Sequence, residues 1–445
     1  MKYILGSTVL LVFLTAGCFF WYKWNVTNDP KVHYNRGVEK GRLGQYADAL
    51  ENFDIAIQLK PDFADAYHAR GIGKARLGQY ADALENFDIA IQLKPDFADA
   101  YHARGIEKAR LGQHEAAISD YDTAIQLKPD FADIYYNRAV EKAKLNLHKA
   151  AISDYDKVIH LKPNDAEAHR GRGLEKAKLN LSKEAISDFD TAIRLKPDFV
   201  EAYLDRGTEK ALRGQLEAAN TNFLAAIRLN AEKTVTYFDT FIERNPKFKF
   251  LSPYHYRGIA RLALGHYAAA LLDFDTVIQL KPQPPFLAQA YLNKGTANMK
   301  LGKHFDALLD YDTAIKLAPD FFEAYDNRGA VKGLLGQYDD ALTDHNTAIR
   351  LKPDFADAYY NRGEIKIKLR QYAAALADFD TAIQHNPGHA KAYHERGLVK
   401  VLLRRTWEAK QDFQTALKLA IQAGDAEFKN HIENTLRLLQ KNGIK

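Results

Sequence analysis

The chain has one cysteine, Cys18, among its 445 residues. No intrachain disulfide can form, and no paired-cysteine metal site can be built. Tryptophan is almost as scarce, and two of the three, Trp21 and Trp24, lie close together near the N-terminus. One-sided charge is missing too. The 62 basic and 57 acidic residues leave a net +5, too balanced for the field of a dedicated nucleic-acid binder. No glycine-rich phosphate loop or nucleophile elbow occurs. The expected function is therefore non-enzymatic, with no cofactor, metal, nucleic acid or small-molecule substrate. A hydrophobic share of 47% beside 27% charged residues excludes wholesale disorder. At this length a single compact core is not expected either.

What is present begins with an apolar segment. Tyr3 to Tyr22 carries no charge over 20 residues, and a helix of that length covers about 30 Å, the hydrocarbon thickness of a bilayer. Phe19, Phe20, Trp21, Tyr22 and Trp24 close the run where interfacial aromatics sit, and Lys23 marks the exit. Residues 1–24 are expected to be a membrane anchor or a signal segment. Thr15, Ala16, Gly17 and Cys18 resemble a bacterial lipoprotein signal, which makes Cys18 the candidate lipidation site and leaves retained span, lipoprotein and exported soluble form as alternatives. Lys23, Lys31, Arg36, Lys40 and Arg42 favour a cytoplasmic body, although a large domain can translocate regardless. Residues 25–29 form a polar linker, whose Asn25-Val26-Thr27 fits a glycosylation acceptor and is a common chance match.

Laid out at a period of 34, the rest falls into columns. Tyr46, Tyr80, His114 and His148 share one, and Pro61, Pro95, Pro129, Pro163 and Pro197 another. Residues 42–67 recur unchanged as 76–101, the mark of internal duplication. Such a period signals a helical solenoid. Gly78 can close a helix in the left-handed region and Pro95 cannot continue one, so the pattern predicts helix, tight turn, helix, stop. Asp62 and Asp65 predict a side-chain-capped start to the first helix. Gly71 and Ala83 remove bulk where the two helices cross, and Tyr67, Leu84, Phe87 and Ile91 form an apolar face. One hairpin cannot hide that face. Each buried aromatic or branched side chain stabilises by about 1.5 to 3 kcal/mol, so stability requires stacked neighbours.

The order Tyr67, Gly71, Leu77-Gly78, Tyr80, Ala83, Phe87, Ala90, Pro95 resembles the tetratricopeptide repeat. Tyrosine replaces that family's first tryptophan, and Arg70, Arg104 or Lys294 replaces the leucine before the glycine. The resemblance implies an all-α fold, a right-handed α-solenoid of helix-turn-helix repeats. Eleven begin at Pro30, Ala64, Ala98, Ala132, Ala166, Val200, Leu251, Ala288, Phe322, Ala356 and Ala390. Repeats 1–6 are expected over 30–233 and repeats 7–11 over 251–424. Between them, 234–250 reads as an orphan second helix with a connector, because Tyr237 to Pro246 matches the second half of a repeat and Ala231 stands in the proline column. A kink is expected there. Residues 425–445, with Phe428, Ile432, Leu436 and Leu439 at helical spacing, read as a capping helix.

His68 and His102 occupy equivalent places in successive repeats, too far apart for one metal ion, and are expected to be solvated or ligand-facing. His345, in the phenylalanine column, is expected to be a core histidine with a local partner. The Asp54, Asp88, Asp122, Asp156 and Asp190 column is expected to be solvated or paired with the arginine column.

The resemblance further implies a groove lined by residues 2, 5, 6, 9, 12 and 13 of each first helix. Transferred here, the candidate peptide-binding residues are Tyr34, Asn35, Val38 and Arg42 in repeat 1, His68, Ile72 and Arg76 in repeat 2, and His102, Ile106 and Arg110 in repeat 3. Repeat 4 adds Tyr136, Asn137 and Lys144. The basic thirteenth column suits an acidic or C-terminal peptide. Ile259, Leu262, Ala330, Ile367, Leu398 and Val401 suit an apolar helix or strand instead, unless they only pack between first helices. Val38 and Ile72 stand where a chaperone-tail clamp needs asparagine, so that activity is not expected. The expected function is a membrane-anchored scaffold for proteins or peptides. The alternative is a self-associating part of an envelope or secretion assembly.

Overall fold

The computed structural model describes residues 28–245 and 252–441. The N-terminal segment with Cys18, and residues 246–250 of the connector, lie outside them. Among the described residues there are helices and turns and no strands, and no helix is long and apolar enough to cross a membrane. The chain divides into two compact units, Met1–Asn222 and Phe223–Lys445, the division falling within the helix Leu216–Leu229.

Each unit is a stack of hairpins of one design. In repeat 2 the first helix spans Ala64–Arg76 and the second Tyr80–Leu93. Gly78 joins them at φ +79°, and the same left-handed turn is made by Asn146, Asn180, Arg370 and Arg404 where glycine is absent. That region disfavours residues with a Cβ, so these four turns are strained relative to the glycine ones. Gly71 shows why the crossing needs a small residue. A Cβ there would lie 2.6 Å from the Phe87 ring, well inside van der Waals contact. Ala83 and Phe87 are fully buried beside it.

The capped start is corrected by the structure. Phe63, not Asp62, is the N-cap of Ala64–Arg76, and no side chain caps it. Phe63 is instead buried against Ala56, Ile57 and Ala66, with Tyr34 packed on the cluster. Burial of the ring fixes the chain's approach, and a capping carboxylate has been dispensed with. Side-chain caps survive at Asp29, Asp165, Asn230 and His389.

The arginine and aspartate columns meet. In the first unit Arg104 donates to Asp88 of the preceding repeat at 2.6 Å and grips Asp120 of its own repeat with two bonds, at 2.9 and 2.6 Å. Lys108 adds a second cation to Asp120 at 2.8 Å. Arg138 and Arg172 repeat the arrangement with Asp122 and Asp154, and with Asp156 and Asp188. In the second unit Arg257, Arg328 and Arg396 do the same with Asp273, Asp344 and Asp412. The first-helix tyrosine completes the rung, because Arg104 lies 5.3 Å from the Tyr101 ring and Arg328 5.4 Å from Tyr325. The two departures from the family pattern are therefore one device: a tyrosine face carries the guanidinium that the leucine's replacement supplies. A buried carboxylate held bidentately by arginine and again by lysine is fully compensated.

In the second unit, Ala231–Arg244 stands as a second helix without a first of its own. Its Asp239 receives Arg257 at 2.7 Å, the role Asp88 plays for Arg104. Phe238 is buried there and packs edge-on against Phe223. This helix begins at Ala231 because Asn230 caps it, its side chain accepting from the Lys233 N–H. Repeat 8 also begins early, at Pro284 rather than Ala288, since two prolines suit the first helical turn. The cap is Ala426–Lys441, with Ile432 buried and Phe428, Leu436 and Leu439 packed on the same cluster as Phe413.

Candidate interaction surface

The transferred columns sit on the first helices at graded depth. Arg42, Arg76, Arg110 and Lys144, at residue 13, are exposed, as is Asn35, while Val38, Ile106, Tyr136 and Asn137 are half-buried. Ile72 is 40% exposed, with Arg76 one turn further along the same helix face. In the second unit Ile259, Leu262, Ala330, Ile367, Leu398 and Val401 are all half-buried. Ile367 packs on Phe379 and Val399, and Leu398 and Val401 pack on Phe413. These three lend much of their apolar surface to the stack itself.

Residue 5 does more joining than facing. The His68 ring lies between Phe87 and Phe97, with centroids at 5.8 and 4.9 Å, and His102 between Tyr121 and Phe131. Both are half-buried. Burial lowers the pKa of both, with nearby aspartates opposing, so the neutral imidazole is favoured. Asn137 meets His102 Nε2 at 2.8 Å, which ties repeat 4 to repeat 3. Tyr34 and Tyr136 occupy the same place in their repeats, packed on Phe53 and Tyr155, and burial raises both phenol pKa values. His345 is fully buried, its Nδ1 2.7 Å from Asp326, whose other oxygen accepts from Asn361.

Behind the basic column lies a row that sequence reading passed over. Residue 10 of the first helices is Glu107, Glu141, Glu175 and Glu209 in repeats 3 to 6, all buried. Glu141 takes Lys144 at 2.8 Å and His114 Nδ1 at 2.6 Å; Glu175 takes Lys178 at 2.9 Å and His148 Nδ1 at 2.7 Å. Among the described residues Glu107 pairs with Arg110 alone, at 3.4 Å, and burial raises its pKa against the pull of Arg110 and Arg76. Arg110 also lies 5.8 Å from the Tyr80 ring. Repeat 2 has Gly73 at this position, so no glutamate backs Arg76.

A second surface was also missed. Leu272, Phe305 and Leu309 are exposed on the second helices Tyr267–Gln279 and His304–Leu317. Glu85, Glu115 and Ser119 hold equivalent places in the first unit, so that comparison within the chain was the available signal. Among the described residues, no group of three His, Cys, Asp or Glu could hold a metal ion.

Family profiles described as tetratricopeptide repeat match residues 34–96, 132–165, 257–320 and 356–389, and one described as TPR repeat matches 107–145 and 334–369. No curated protein matches the chain. Among solved structures it is similar to MamA, at 25% identity over 37% of this chain and 96% of that one, with a TM-score of 0.35. It is similar to YrrB, described as a TPR protein with an unusual peptide-binding site, at 23% identity over 40% and 92%, with a TM-score of 0.37. Yeast Tom70 matches over 92% of this chain and 96% of its own at 16% identity, with a TM-score of 0.39.

Proposed function

The chain belongs to the tetratricopeptide-repeat family, and from that premise we propose that it is a membrane-anchored protein-binding scaffold, docking peptide segments of its partners on the first-helix faces of its repeats. One observation carries the reading. The columns that hold the hairpins together recur with little change, whereas the exposed first-helix positions vary, from Arg42, Arg76 and Arg110 to Leu334 and Leu402. Variation at exposed positions on a constant frame fits recognition better than stability, because the frame's burial does not need it. The anchor rests on the 20 uncharged residues from Tyr3 to Tyr22 with their aromatic border.

The test is site-specific photocrosslinking in native membranes. A crosslinking amino acid at Ile72 or Ile106 should capture partner proteins, and one at Glu85, on a second helix, should not. Capture only through second-helix positions would refute the docking face. Capture of a second copy at every position would favour the self-associating assembly. Loss of membrane association on deletion of residues 1–24 checks the anchor, and unchanged sedimentation with membranes would remove it.

A further inference from the structure

Resting on that docking face, we infer that repeats 2 and 3 form its charge-selective spot, taking an acidic polypeptide segment with an apolar side chain beside its carboxylate. The basic column of the first unit looks uniform along the sequence but is not uniform in structure. Lys144 and Lys178 are each spent on a buried glutamate of their own helix, at 2.8 and 2.9 Å, and each glutamate holds a histidine as well. Their charge is cancelled where it stands. Arg76 has no such neighbour, since Gly73 occupies the glutamate position, and it makes no ion pair among the described residues. Arg110 shares Glu107 at 3.4 Å, the longest of these contacts. Two guanidinium groups thus face one carboxylate, and a net positive charge remains.

The geometry favours an extended acidic partner. Arg76 is exposed and presents a planar fork suited to a carboxylate. Arg110 is steadied by the Tyr80 ring at 5.8 Å, so less freedom is lost on binding. Ile72, 40% exposed and one helical turn before Arg76 on the same face, offers an apolar seat beside the charge. A peptide alternating acidic and apolar residues satisfies both, whereas a basic one meets like charge.

The experiment uses the full chain in detergent and a fluorescent peptide alternating Asp and Leu, with its Lys-Leu counterpart and a single-stranded oligonucleotide as controls. The Asp-Leu peptide should bind at least about tenfold more tightly than the Lys-Leu peptide. Arg76→Gln should weaken it about tenfold, as loss of a charge-assisted contact does, and Arg76→Lys should retain most of the binding. Lys144→Gln and Lys178→Gln should change it by less than about twofold. Unchanged helical circular dichroism checks each fold. Equal binding of both peptides, equal binding of the oligonucleotide, or equal loss from Lys144→Gln and Arg76→Gln would overturn the inference. Partners photocrosslinked at Ile106 whose yield ignores Arg76→Gln would leave the scaffold reading standing and sink only this one.

Discussion

The two compact units solve one packing problem in opposite ways. At residue 10 of the first helix the first unit buries Glu107, Glu141, Glu175 and Glu209, and the second buries Ala260, Ala297, Val331, Ile365 and Val399. The hairpin is the same and so is the depth. What differs is the neighbourhood: His114 and Lys144 surround Glu141, and His148 and Lys178 surround Glu175. A carboxylate is tolerated at this depth when the adjoining repeat supplies compensating donors, and the apolar solution needs none. His304 sharpens the contrast. It stands where His114 and His148 stand, but 27 residues on there is Val331 rather than glutamate, and its buried Nδ1 has no hydrogen-bond partner among the described residues.

That contrast can be broken by exchange. Val399→Glu puts a charge where the preceding second helix opens with Tyr372 and residue 13 is Leu402, so it should destabilise the second unit by about 4 kcal/mol. Val331→Glu should cost less, by about 1 to 2 kcal/mol, because His304 awaits it. Adding Leu334→Lys should recover more. The reverse change, Glu141→Val, should lie within about 1 kcal/mol of neutral. Urea midpoints with hydrogen exchange across each unit measure all four, and equal penalties for the two Glu insertions would show that the histidine is irrelevant.

Acid should act next most strongly. Burial lowers the His255 pKa to about 4, below the usual value of about 6.5. The unfolded chain therefore takes up a proton between these values that the folded chain refuses. Its contribution is complete above about pH 6.5 and falls by about 3 kcal/mol as pH drops to 4. His255→Phe should flatten that part of the second unit's stability profile, and an unchanged profile would assign the acid response elsewhere.

Smaller effects separate the two sides of the arginine rung. A double-mutant cycle between Arg104 and buried Asp120 should show coupling of about 2 kcal/mol. The same cycle with exposed Asp88 should show about 0.5 kcal/mol. Equal couplings would mean that burial does not set the strength. The surface pair Lys128 with Asp99, at 2.8 Å, should contribute less still, within about 0.5 kcal/mol.

Much of the fold was legible because it is local. Gly78, Pro95 and the spacing of Tyr67, Phe87 and Ile91 mark helix, turn and helix within one repeat, and the period counts the repeats. The surface was less legible. Residue 13 read as a basic stripe, yet three of its cations lean on glutamates from their own helices. Residue 5 read as a groove position, yet His68 and His102 are wedged between aromatic rings. Ile367, Leu398 and Val401 read as sticky, yet they brace the core. Each of these side chains looks the same in a column whether water or a neighbour faces it.

The amino-acid order by itself determined that the chain forms helical hairpins which must stack, since one hairpin's apolar face cannot be hidden alone. Only the tertiary structure decided which charges survive at the surface. Arg104 meets Asp88 and Asp120 across 16 residues, and His114 meets Glu141 across 27. Those encounters depend on how helices are offset when stacked, and desolvation then decides which ions are paired and which are left to bind.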